Sequence, residues 1–205
     1  MMKKISFFLK NQFFQKTKAI AKYTSPDDIV IDIGANVGEF AKQFFGSGCS
    51  IKCFEPNPSC IARLEAIALK HNVEVIRAAA STSDGVSDLY LHQNHELDPV
   101  LWSSGSSLFK GKTNVDPNNF VSVRTIDLSR YIFELDMPVR VLKIDIEGHE
   151  VELLPYLLKT GCLSRVSNIL VETHEKKNPS LARPTESMKE VFRKAGFQRI
   201  SWDWI

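Results

Sequence analysis

The apolar positions of this chain fall into short runs that alternate with helix-length amphipathic segments. Ile29-Val30-Ile31-Asp32-Ile33 is rich in β-branched residues and almost continuously apolar, as a buried parallel strand requires, and Ile51-Lys52-Cys53-Phe54-Glu55 is of the same length. Pro58-Ser59 precedes Ile61, Leu64, Ile67 and Ala68, whose spacing of three and four marks one buried helical face. The pattern predicts strand 29–33, a helix near 38–46, strand 51–55, helix 59–70 and strand 73–77. A second series follows: strand 139–144, helix 149–159 stopped by Gly161, strand 168–172, helix 185–195 and strand 197–202. Such alternation implies an α/β fold with a mostly parallel central sheet and helices on both faces. Right-handed crossovers bring the carboxyl ends of the strands to one edge, where open α/β sheets bind their ligands.

The segment 81–127 breaks the alternation. Its parts 86–91 and 120–126 read as strands flanking a long polar stretch that contains Trp102-Ser103-Ser104-Gly105-Ser106-Ser107. Too rich in Ser and Gly to be core, the stretch reads as a hairpin and loop insertion before the strand at 139–144, with a lid favoured over a passive linker.

The first strand runs into Gly34-Ala35-Asn36-Val37-Gly38, where glycine lets backbone N–H groups approach a ligand that a Cβ would block. The middle glycine of G-x-G-x-x-G, which admits a pyrophosphate, is missing, and the second glycine comes four positions after the first. Glu55 stands about 20 positions after Gly34, the spacing at which a second-strand carboxylate meets the two hydroxyls of a ribose. An adenosine cofactor without a tight phosphate cradle fits both facts, and S-adenosylmethionine is such a cofactor. Asp32, just before the turn, is placed to face its cationic amino group. The plainer alternative is that Gly34 and Gly38 only close a tight βα connection.

Lys143 and Asp145 lie two apart and share a face of the strand at 139–144, opposite Leu142, Ile144 and Ile146. Glu147-Gly148 leads into a helix starting near His149, and the next strand ends in Glu172-Thr173-His174. These carboxylates and imidazoles converge on the carboxyl edge. Each taken singly has an ordinary structural use, such as a Lys143–Asp145 pair or Glu147 and Glu150 at a positively polarised helix start. Were S-adenosylmethionine to give its methyl group to a hydroxyl here, the donor would already be activated and the protein would position the acceptor and remove its proton. Asp145 is expected to orient or deprotonate the acceptor, with His149 or His174 as the alternative base and Lys143 fixing the carboxylate. A second reading makes Asp145, Glu172 and His174 ligands of Mg²⁺ or another divalent ion that lowers the pKa of a vicinal diol.

Four pieces occur in order over 28–174: Asp32-Ile33-Gly34-Ala35-Asn36-Val37-Gly38, Phe54-Glu55-Pro56-Asn57-Pro58, Ala78-Ala79-Ala80-Ser81 with Asp84-Gly85, and Leu142-Lys143-Ile144-Asp145-Ile146-Glu147-Gly148-His149-Glu150. Together they resemble the FkbM-type S-adenosylmethionine-dependent methyltransferases, which typically methylate hydroxyl groups. The resemblance implies a Rossmann-like class I methyltransferase fold. It also implies a cofactor site drawn from Asp32, Gly34, Ala35, Asn36, Gly38, Glu55, Pro56, Asn57, Ala79, Ala80, Ser81 and Asp145, with the small Ala79, Ala80 and Ser81 leaving room for a flat base. The serine-containing stretch is implied to lie near the active site. Class I methyltransferases usually finish with an antiparallel hairpin, for which this chain has only 197–202, so a seventh strand is expected to be shortened or missing. The two terminal tryptophans, Trp202 and Trp204, are expected to cap the core or to form a dimer contact. The acceptor is expected to be a small-molecule, sugar or glycan hydroxyl. An NAD(P)-dependent oxidoreductase and a noncatalytic binding protein on the same scaffold are the rival readings.

At 205 residues, 43% hydrophobic, the chain suits one globular domain over 27–205. A net charge of +2 with no dense basic run gives no reason to expect a nucleic-acid partner. An Asn-Pro-Pro-aromatic loop and a Pro-Cys pair, used in base methylation, are absent. Cys49, Cys53, Cys60 and Cys162 lack paired spacing and read as buried free thiols in a cytoplasmic protein. The segment 1–26 carries six lysines, no acidic residue, and the pairs Phe7-Phe8 and Phe13-Phe14. It is expected to form a basic amphipathic helix whose phenylalanines cover the sheet edge or cofactor site, with contact to an anionic membrane as the alternative. A homo-oligomer is compatible with all of this.

Overall fold

In the computed structural model, which describes residues 16–202, helix α1 (16–22) precedes strand β1 (Ile29–Ile33), every residue of which is buried. There follow β2 (Ser50–Phe54), α2 (Pro58–Ala68), β3 (Val73–Ile76), β4 (Ala79–Ser81), β5 (Gly85–His92) and β6 (Val115–Asp127). The chain then runs through α3 (Leu128–Glu134), β7 (Val139–Ile144), α4 (Glu150–Thr160), β8 (Val166–Val171), α5 (Ala182–Lys194) and β9 (Ile200–Ser201). Six strands form one parallel sheet in the order β3-β2-β1-β7-β8-β9, and β1 lies centrally between β2 and β7. The order reverses at β1, so the loops after β1, β2 and β7 surround a crevice at the carboxyl edge.

Alternation along the strands sorts the core into two layers. Ile29, Ile31, Ile33, Leu142, Ile144, Ile169 and Val171 face Ile132 of α3, Leu153 and Leu157 of α4, and Met188 and Phe192 of α5. Val30, Ile51, Cys53, Val141 and Leu170 face Leu64 of α2, Phe44 of the turn after β1, and Ile20 and Ala21 of α1. Each fully buried Ile, Leu or Phe contributes roughly 2 kcal/mol by leaving water. Asp32 and Lys143 fall on this second face and are register partners in the β1–β7 pair. Two charges therefore enter an otherwise apolar layer side by side.

Several expectations are corrected. The segment expected to be a helix near 38–46 is a 3-10 helix, Ala41–Ser47, ended by Gly48 in the left-handed region. Ala79–Ser81, which follows β3, has a place in a sheet of its own. It is β4, paired in parallel with β6, which is antiparallel to β5, in a second sheet of order β4-β6-β5. β9 covers only 200–201 and runs parallel to β8, so no antiparallel hairpin closes the large sheet among the described residues. Trp202 packs edge-on against Phe192, with ring centroids 5.4 Å apart, and caps the core; Trp204 lies outside the described residues. The Phe7-Phe8 and Phe13-Phe14 pairs also lie outside them. No helix among the described residues is long and apolar enough to cross a membrane. All four cysteines are free and buried.

Candidate functional site

Gly34, with φ +76°, turns the chain sharply out of β1, and a Cβ built on it would stand 1.9 Å from the carbonyl oxygen of Asp145. The turn thus presses directly against the exit of β7, an approach only glycine permits. Gly38, φ +83°, has a different use: its missing Cβ makes room for Ile67 and Leu64 of α2. Asn36 between them is left-handed at φ 50°, a conformation Asn tolerates better than most residues. Its backbone N–H donates to Glu55 Oε2 and that of Asn57 donates to Glu55 Oε1, both at 2.8 Å. The Glu55 carboxyl is therefore held at the tip of β2 with one bond to each oxygen. Burial pushes its pKa up to about 7, with the two N–H bonds pulling the other way.

A cavity opens at this edge, lined at one end by Gly34, Asn36, Phe54, Glu55, Pro56 and Asn57, and at the other by Asp145, Ile146, Glu147 and His149. Ala79, Ala80 and Leu89 of the second sheet supply an apolar wall. The Ser-rich stretch closes over it, and here the expectation that such residues stay out of the interior is overturned. Leu101–Gly105 is a 3-10 helix, Ser103 and Ser107 are buried, and Ser103, Ser104, Ser106 and Ser107 all line the cavity. Asn36 Nδ2 donates to Ser103 Oγ at 2.8 Å, Asn57 Nδ2 to Ser106 Oγ at 3.4 Å, and Ser107 Oγ to the Glu147 carbonyl at 2.8 Å. Lys112 adds an ion pair to Glu147 Oε2 at 2.6 Å and a bond to the Gly105 carbonyl at 2.7 Å. The serine stretch lies at the cavity, as the resemblance implies, whereas Leu89, Leu108 and Lys112 were not singled out by sequence reasoning.

Asp32 does not line the cavity. Its fully buried carboxylate meets Lys143 Nζ at 3.1 Å on the underside of the turn, and Lys143 donates to the Gly34 carbonyl at 2.7 Å. The expected contact of Asp32 with a cofactor's amino group is thus replaced by support of the glycine turn through Lys143. Burial raises the pKa of Asp32, and Lys143 opposes that; for Lys143 burial alone would lower the pKa, but Asp32 and Asp145 outweigh it and keep the ammonium charged. Lys143 also lies 3.5 Å from Asp145 Oδ2. Ala35, Gly38 and Ser81 stand beside the cavity without lining it, as do Glu172 and His174; Ser81 Oγ lies 3.4 Å from His149 Nε2.

Behind Asp145 and Glu147 sits His174, 0% exposed. Its Nδ1 is 3.0 Å from Glu150 Oε1, while Nε2 points among Glu147 Oε2 at 3.3 Å, Asp145 Oδ1 at 3.5 Å and Glu172 Oε1 at 3.7 Å. Burial works against the charged ring, but Glu147 and Glu150 outweigh it and hold its pKa at about 10. Burial works against Glu147 too, yet His174 and Lys112 bring its carboxyl down to about 2. Glu172 is pushed up by burial and by Asp145, with Lys177 pulling back at 2.7 Å. His149, on the cavity wall, is pushed down by burial. Glu147 has φ 57°, uncommon for a side chain of its size, and such strain collects at functional sites.

A family model described as the methyltransferase FkbM domain matches residues 32–199. The chain is 27% identical over 154 residues to hexuronic acid methyltransferase AglP of Haloferax volcanii, covering 75% of this chain and 59% of that protein. It is 24% identical over 205 residues to AMB antimetabolite synthetase AmbE of Pseudomonas aeruginosa, covering 84% of this chain and 10% of that one. It is 25% identical over 139 residues to 2-O-methyltransferase NoeI of Sinorhizobium fredii, covering 63% of this chain and 57% of that one. The chain thus spans under two thirds of the length of each of these relatives. A solved methyltransferase FkbM from Methylobacillus flagellatus superposes with a TM-score of 0.44 at 15% identity, over 70% of this chain and 33% of that one.

Proposed function

The chain belongs to the methyltransferase FkbM domain family, and from that premise we propose that it transfers the methyl group of S-adenosylmethionine to a hydroxyl group of a sugar or glycan. The observation that carries this reading is the charge of the cavity wall. Glu55, Asp145 and Glu147 line it, and among the described residues no Lys or Arg does. A cationic sulfonium with an amino group suits such a wall, whereas the pyrophosphate of a nicotinamide dinucleotide would meet carboxylates and no Lys or Arg on the cavity surface. This favours a methyl donor over the oxidoreductase reading.

Glu55 is the residue assigned to hold the ribose, since each of its oxygens accepts one backbone N–H and keeps a lone pair for a hydroxyl. Ala79 and Ala80, with Leu89 and Phe54, offer a flat apolar space for the base. When bound, S-adenosylmethionine supplies a methyl group already activated on a sulfonium. What remains for the chain is to seat the acceptor, exclude water and take one proton. Asp145, braced by Lys143, orients the acceptor hydroxyl, and His149 takes its proton. His149 is chosen over His174 on position, because it lines the cavity and His174 does not. The serine stretch excludes water and presents hydroxyls to a polyhydroxylated acceptor. Sugar is favoured as the acceptor class because two relatives carry names that speak of hexuronic acid and of 2-O-methylation.

The test is incubation with methyl-labelled S-adenosylmethionine and a panel of glycosides and hexuronic acids. An alkali-stable methyl ether is expected. An alkali-labile methyl ester, or no labelled product from a protein that binds S-adenosylhomocysteine, would overturn the assignment of a sugar hydroxyl.

A further inference from the structure

We propose that Asp145, Glu147 and His174, with Glu172 beside them, form a binding site for one divalent cation at the edge of the cavity. The inference deepens the function proposed above and relies on it for the place of the acceptor. Its starting point is the orientation of a buried ring. His174 is 0% exposed, and its Nε2 has no hydrogen-bond partner among the described residues. Carboxylate oxygens surround this nitrogen, yet none makes a well-aligned hydrogen bond to it, so its aim calls for a physical reason.

The ring is fixed from behind. Glu150, itself fully buried, holds Nδ1 at 3.0 Å with Oε1 while its Oε2 accepts the Gly148 backbone N–H at 2.7 Å. A carboxylate clamped on one imidazole nitrogen with the other left open is how metal-binding histidines are oriented. In front, Nε2 is 3.3, 3.5 and 3.7 Å from oxygens of Glu147, Asp145 and Glu172. Ligands placed about 2.0–2.2 Å from a common ion in tetrahedral or octahedral order stand about 2.8–3.6 Å apart, which is close to these spacings. The donor atoms of Asp145, Glu147 and His174 all fall within 4.8 Å of one another. The left-handed backbone of Glu147, φ 57°, is what turns its carboxylate into this group.

Three lysines share the oxygens: Lys112 lies 2.6 Å from Glu147 Oε2, Lys177 lies 2.7 Å from Glu172 Oε1 and Lys143 lies 3.5 Å from Asp145 Oδ2. A carboxylate oxygen has lone pairs for both a lysine and an ion, so these contacts orient the ligands without filling the space between them. With the imidazole neutral, the four carboxylates of Asp145, Glu147, Glu150 and Glu172 still exceed the positive charge that these three lysines bring, and Lys143 is shared with Asp32. Two carboxylate oxygens and one imidazole nitrogen, with a third carboxylate beside them, suit a hard to borderline ion such as Mg²⁺ or Mn²⁺.

Asp145 and Glu147 belong both to this cluster and to the cavity wall, so an ion held here borders the acceptor. Bound to the acceptor oxygen, it lowers the pKa of that hydroxyl. The O–H proton passes to His149, the oxygen's electron pair forms the new bond to the methyl carbon, and the carbon–sulfur bond breaks with its pair kept on sulfur as a neutral thioether.

The test is titration of Mn²⁺ into the full, chelator-treated chain, read by the loss of the free-ion paramagnetic resonance signal, with S-adenosylhomocysteine titrated in parallel by calorimetry. One Mn²⁺ per chain is expected, bound about 10-fold to 100-fold more weakly by Asp145→Asn and by Glu172→Gln. Lys177→Gln, which removes a competing cation from the protein surface, is expected to tighten Mn²⁺ and gives a reading that does not depend on a buried variant folding. Absence of stoichiometric Mn²⁺ binding, or equal affinity in wild type and all three variants, overturns the site. If S-adenosylhomocysteine binds and Mn²⁺ does not, this inference fails while the cofactor reading stands. The reverse pattern supports the site and overturns the cofactor reading.

Discussion

Glu55 and His149 are side chains whose surroundings make their chemistry testable one residue at a time. The Glu55 carboxyl has its pKa raised to about 7 by burial, so the folded chain holds that proton more tightly than the unfolded one. The stabilisation this provides is fully present below the ordinary value near 4.5 and is lost as pH rises through about 7. Ligand binding runs the other way, since ribose hydroxyls donate best to an ionised carboxylate. The affinity for S-adenosylhomocysteine should therefore rise between about pH 6 and pH 8 with release of a proton, seen calorimetrically in buffers of different ionisation enthalpy, and Glu55→Gln should abolish that release. His149→Ala should lower kcat by about 10² to 10⁴ while leaving S-adenosylhomocysteine affinity within a few fold, because a base acts on the acceptor proton alone. The position of Glu55 on the cavity wall was legible from spacing because strand period and turn length fix where a second-strand carboxylate emerges. Asp32 was misplaced because sequence shows which face a side chain takes but not that Lys143 lies beside it in register.

At the scale of elements, the glycine turn and the serine stretch hold the site together from opposite sides. Gly34→Ala would drive a Cβ into the Asp145 carbonyl at a positive φ, whereas a Cβ added at Gly46 would meet nothing within 4 Å and no such φ. Gly34→Ala should cost about 3 kcal/mol or more, a fall in Tm on the order of 10 °C, and Gly46→Ala should leave Tm nearly unchanged by calorimetric scanning. Lys112→Met removes the buried tie between the stretch and Glu147, and should speed amide hydrogen exchange over 101–112 by on the order of tenfold or more. Strands β1, β2, β7 and β8 were legible because each is an apolar run of strand length with a turn at its end. β4 was not, because three small residues carry no period, and its partner β6 is interrupted by Pro117, Asn118 and Asn119. The burial of the serines was hidden for a related reason: their hydroxyls are satisfied by Asn36, Asn57 and Glu147, which are remote in sequence.

For the whole molecule, one sheet edge unites what the sequence left as separate motifs. The carboxyl ends of β1, β2 and β7 and the second sheet enclose an acidic, base-sized cavity, and the buried pair of Asp32 and Lys143 locks the turn beneath it. The mostly parallel sheet was legible from βαβ alternation, while the strand order, the second sheet and the brevity of β9 depended on long-range pairing that no local pattern encodes. The central claim is that this cavity is built for the adenosine and sulfonium of a methyl donor. The most direct measurement is calorimetric titration of wild type and Glu55→Ala with S-adenosylhomocysteine and, separately, with NADH. The account predicts S-adenosylhomocysteine binding to the wild type that weakens by about 10-fold or more in Glu55→Ala, as loss of hydrogen bonds to a charged acceptor implies, and no NADH binding. Binding of NADH, or indifference of folded wild-type protein to S-adenosylhomocysteine, would contradict it.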